Sequence, residues 1–74
     1  MVFVAEITTA STYTILVNQS EEVRNTNVAV VLKSLGNAVR TVHIGTIDCE
    51  GPKMAIQRVR SGDWDYEEWT EDGN

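Results

Sequence analysis

The chain has 74 residues, 42% of them apolar and 23% charged, and a formal net charge of -5. That balance excludes a disordered polyelectrolyte, and the length allows one core that buries only about 60% of the surface the unfolded chain exposes. A single cysteine, Cys49, excludes an internal disulfide, and no apolar run approaches the roughly 18 residues of a membrane span.

The run Val2 to Ala5 is broken by Glu6 and followed by Thr8, Thr9, Ser11 and Thr12, which is not the pattern of a signal peptide. A reducing cytoplasm is therefore the expected location, and the sequon Asn18-Gln19-Ser20 carries no weight there. Val2 to Thr8 reads as a strand, with Phe3, Ala5 and Ile7 on one face and Val2, Val4, Glu6 and Thr8 on the other. Tyr13 to Val17 reads as its hairpin partner, joined through the short polar link Thr9 to Thr12.

Val28, Val31, Leu32 and Leu35 follow helical spacing and place four aliphatic side chains on one stripe. Asn25 or Thr26 can cap that helix, Ser20 with Glu21 and Glu22 allows an earlier start, and Gly36 marks its end. Val39 to Ile47 alternates as a third strand. Pro52 lies in a turn-rich stretch, and Lys53 to Arg60 reads as a fourth strand. Ser61-Gly62 would close a hairpin that sets Arg60 against Asp63, Val59 against Trp64, Arg58 against Asp65, Gln57 against Tyr66 and Met54 against Trp69. The expected fold is α+β: a small antiparallel sheet with one helix packed on one face, in the order ββαβββ. Residues 1–70 are expected to form one domain, and residues 71–74 a frayed acidic tail.

His43 and Cys49 are each unique in the chain, and Cys49 lies between Asp48 and Glu50, a negative setting unsuited to a thiolate nucleophile. Paired metal-ligand spacings and phosphate-cradling glycine loops are absent. Neither a metal nor a cofactor is expected, and the chain reads as non-enzymatic.

The acidity is local. Residues 1–62 hold five acids against six bases, whereas residues 63–74 hold Asp63, Asp65, Glu67, Glu68, Glu71 and Asp72 with no base. Trp64, Tyr66 and Trp69 are interleaved with those acids. Direct nucleic-acid binding needs a positive footprint, which this charge opposes. The expectation is a small binding or inhibitory protein whose acidic and aromatic C-terminal segment enters a basic groove of a partner. That partner would be a nucleic-acid-handling protein, with the carboxylates standing in for phosphates. In size and charge alone such a chain is analogous to accessory inhibitors of phages and mobile elements. The alternative is a homodimer or larger homo-oligomer assembled through edge strands.

Overall fold

The computed structural model describes residues 1–70. Four strands, β1 (Val2–Thr9), β2 (Tyr13–Asn18), β3 (Val39–Ile47) and β4 (Tyr66–Glu68), form one sheet in the order β2-β1-β3-β4, every neighbour antiparallel. The β1–β2 turn is built on threonine chemistry. The Thr9 hydroxyl oxygen accepts from the N–H groups of Ser11 and Thr12 at 3.2 and 3.0 Å, a side-chain mimic of a backbone turn.

The first helix, α1 (Glu21–Leu35), starts at the earlier of the two expected positions. The Ser20 hydroxyl accepts the Val23 N–H at 3.2 Å, and Glu21 and Glu22 stand in the first turn, where the helix dipole favours carboxylates. That cap outweighs the weak helical preference of Asn25, Thr26 and Asn27. Gly36, with φ of 58°, ends the helix, and a short 3-10 turn, Gly36–Ala38, leads into β3.

Lys53 to Arg60 is not a strand. The segment Pro52–Arg60 forms a second helix, α2, so the order is ββαβαβ and the expected hairpin with residues 63–69 does not form. Proline at its start lacks only a donor that the first turn leaves free anyway, and Arg58 and Arg60 fall where the dipole favours cations. Ala55 and Val59, four apart, are its buried residues. Eight residues mixing apolar and polar side chains fit either periodicity, and helix-forming Lys, Met, Ala, Gln and Arg settle the choice once a core is available for Ala55 and Val59.

The two helices lie on opposite faces of the sheet. Val2 and Val4 cluster with Ile47, Ala55, Val59 and Trp64, while Ala5 and Ile7 cluster with Val28 and Ile44. Successive strand residues point to opposite faces, so β1 feeds both clusters. The helical stripe is as expected: Val28 is buried, and Val31, Leu32 and Leu35 pack around it. One polar side chain enters this layer. Arg24 is buried beneath α1, where its Nη1 donates to the carbonyls of Val4 at 2.9 Å and Gly45 at 3.3 Å and its Nε to Asn25 Oδ1 at 2.7 Å. Burial pulls the guanidinium below its ordinary range, and the charges of Glu21 and Glu67 oppose that shift.

Ile7 is wholly buried while Val30 on the outer side of α1 is 63% exposed. Ile7→Ala should therefore cost about 2–5 kcal/mol in urea denaturation, whereas Val30→Ala should change stability by less than about 0.5 kcal/mol.

Candidate acidic edge and cross-sheet polar chain

The C-terminal segment reaches the sheet through the end of α2. Gly62, at φ of 76°, turns the chain, the Asp63 N–H donates to the Arg58 carbonyl at 2.9 Å, and Arg58 Nε donates back to the Asp63 carbonyl at 3.2 Å. Arg58 thus meets Asp63, with 3.6 Å between Nε and the carboxylate, instead of the expected Asp65. Residues beyond this turn line up on β3, pairing Tyr66 with Gly45, Glu67 with Ile44 and Glu68 with His43.

Alternation along this strand decides the fate of its aromatic residues. Trp64 and Trp69 are five apart and so fall on opposite faces: Trp64 is 9% exposed in the α2-side cluster, and Trp69 packs with the α1-side cluster. Both helices pack chiefly on β1 and β2, so the two indoles cover what the helices leave open above and below β3. Gly45 makes room for one of them. A Cβ there would stand 2.5 Å from the Asp65 carbonyl oxygen and 2.9 Å from the Trp64 ring. Tyr66, 53% exposed, is the one aromatic residue of the segment that is open to solvent.

Asp63, Asp65, Glu67 and Glu68 are all exposed. Asp65 and Glu67 lie on the α1 side of the sheet and Glu68 on the α2 side, beside His43. Asp65, Glu67 and Glu68 form no ion pair among the described residues, and the Arg58–Asp63 bridge is exposed enough to contribute little. β4 is an edge strand paired with β3 alone, so this row of carboxylates borders backbone groups open on one side. Glu71 and Asp72 lie outside the described residues.

A second feature, not expected from the sequence, crosses the α2 face of the sheet. Each strand contributes one side chain: Tyr13 from β2, Glu6 from β1, His43 from β3 and Tyr66 from β4. The Tyr13 hydroxyl donates to Glu6 Oε2 at 2.6 Å, His43 Nδ1 lies 2.9 Å from Glu6 Oε1, and the His43 and Tyr66 rings are 4.4 Å apart. Thr8 and Thr41, paired across β1 and β3, join their hydroxyls on the same face. The interruption of an apolar strand by Glu6 was the available signal, but the partner of that carboxylate depends on a register linking residues 37 positions apart. Chemically, the chain holds Glu6 between two donors and fastens β4 through ring contact. Cys49 lies elsewhere, packed against the α2-side cluster with its thiol donating to the Gly51 carbonyl at 3.4 Å. Among the described residues no three His, Cys, Asp or Glu side chains converge as a metal site requires, and no helix is long and apolar enough to cross a membrane.

Burial first, then the hydrogen bond to Glu6 and its charge, push the Tyr13 hydroxyl from 10.0 up to about 12, with Arg60 pulling the other way. A raised pKa means that the contribution of Tyr13 is fully present below about 10 and is lost as pH rises through about 12. Wild type should therefore lose stability relative to Tyr13→Phe across that interval, and a phenolate absorbance titration should show the late-ionising tyrosine missing from the variant. Gly45→Ala should destabilise the fold by about 1–3 kcal/mol and loosen β4, read as faster amide exchange at Tyr66 to Glu68, because a backbone carbonyl blocks the new methyl group. In comparisons with known proteins, no family model, curated protein or solved structure matches this chain.

Proposed function

We propose that this is a non-enzymatic binding protein of the cytoplasm whose acidic β4 edge occupies a basic groove of a protein that handles nucleic acid, inhibiting it by occupying its phosphate-binding surface. The observation that carries this reading is the group Asp65, Glu67 and Glu68, three exposed carboxylates on β4 and just before it with no ion-pair partner among the described residues. A strand turns successive side chains to opposite faces, so Asp65 and Glu67 stand on the α1 side of the sheet and Glu68 on the α2 side. The edge therefore presents negative charge, the sign of a phosphate backbone, on both faces. Tyr66 stands among them as an exposed aromatic contact of the kind that anchors interfaces.

Self-assembly is the second reading, and the opposite edge favours it. β2, Tyr-Thr-Ile-Leu-Val-Asn, carries no charge at all, whereas antiparallel self-pairing of β4 would set carboxylate against carboxylate. A homodimer would therefore form across β2. A monomeric mass in sedimentation at micromolar concentration removes this reading.

For the binding reading, the test is capture of a partner from a cognate lysate by wild type and by a folded Asp65→Asn, Glu67→Gln, Glu68→Gln variant, at low and moderate salt. Three exposed charges at about 0.5 kcal/mol each amount to about tenfold in affinity. The variant should bind at least that much more weakly and with a flatter salt dependence. Equal capture by both, or indifference to salt, overturns the proposal.

A further inference from the structure

Because α1 packs chiefly on β1 and β2, the β3–β4 half of that face is left to Trp69, and a groove of about 710 Å³ opens between the indole and the helix. Its volume falls in the roughly 300–1,000 Å³ range of ligand sites. Ala29, Leu32 and Trp69 are its apolar lining, Glu21 and Glu22 stand at one end, and Lys33 stands at the other. We infer that this groove docks a short extended segment of a protein partner, with basic residues at the Glu21–Glu22 end and an apolar side chain against Ala29, Leu32 and Trp69. The inference rests on the reading of the acidic side as a partner-binding surface and adds to it a second contact region and the chemistry of the occupant.

Shape, charge and an unpaired donor support it. From Glu22 to Lys33 the helix rises about 16 Å, the span of about five extended residues. Glu22 forms no ion pair among the described residues, and Glu21 meets Arg24 only at 3.8 Å with its side chain 65% exposed, so this end offers charge for a Lys or Arg side chain. Glu67 lies on the same face of the sheet and adds to the negative field, while Lys33 sets the opposite sign at the far end and gives the groove a direction. The indole Nε1 of Trp69 is buried and has no acceptor among the described residues. An unpaired buried donor is costly, and the backbone carbonyls of an extended segment are acceptors of the kind it lacks.

The test uses nitrogen-15 labelled protein, in which Trp64 and Trp69 give separate indole resonances. The probe is a capped pentapeptide, Arg-Arg-Ala-Leu-Leu, compared with capped pentalysine. The arginine–leucine peptide should shift the Trp69 resonance saturably and leave that of Trp64 in place, and pentalysine should bind at least tenfold more weakly. Ala29 is exposed, so Ala29→Phe fills the groove without entering the core, and an unchanged Trp64 resonance verifies its fold. This variant should weaken the peptide at least tenfold. An unmoved Trp69 resonance, equal binding of pentalysine, or full binding by Ala29→Phe overturns the groove, and each leaves the β4 edge to be judged on its own triple variant. Retained peptide binding in the triple variant, with loss of the captured partner, separates the two surfaces in the other direction.

Discussion

Everything in this fold depends on β1 having no outer face. Val4, Ala5 and Ile7 are wholly buried, and they point alternately to two separate clusters. A chain of this size gains little from a one-sided sheet, because half of its strand surface would remain in water. Placing one helix on each side of the same strand turns eight residues into the centre of two cores. The near-continuous apolar run at the start of the chain is the signature of a strand buried on both sides.

That economy has a consequence for the edges. Helices committed to β1 and β2 leave β3 and β4 to be covered by something smaller, and two tryptophans of odd spacing do so, one on each face. Asp65 and Glu67 share the α1 side with Trp69, and Glu68 shares the α2 side with Trp64, yet all three carboxylates are exposed along the open edge. The acidic edge thus lies on the same segment that closes the core with Trp64 and Trp69. The same incomplete coverage leaves the groove beside Trp69.

Polar side chains do the fastening that a small apolar core leaves undone. Arg24 ties the first turns of α1 to carbonyls of β1 and β3 and lies 5.7 Å from the centre of the Phe3 ring. On the other face, Tyr13, Glu6, His43 and Tyr66 link all four strands across the sheet. Each group is paired within a few ångströms, which limits the desolvation cost of holding charge there. Both devices grip β3 from opposite sides, at Gly45 and at His43, and so stabilise the strand on which the acidic edge is built.

The α+β class, the first three strands, the aliphatic stripe of α1 and the isolation of negative charge at the C-terminal end were all legible in the residues themselves. Those features follow from local periodicity, from β-branched content and from counting charges, none of which needs a partner. Residues 53–60 were misread as a strand because eight residues of mixed character satisfy both periods, and only the space available beneath Ala55 and Val59 discriminates between them. The pairing of β4 with β3, the inward turn of both tryptophans, the role of Gly45, the burial of Arg24 and the chain from Tyr13 to Tyr66 were decided by tertiary structure alone. Each depends on strand register and on which half of the sheet a helix happens to cover, and these are set by contacts between residues tens of positions apart that no local pattern records.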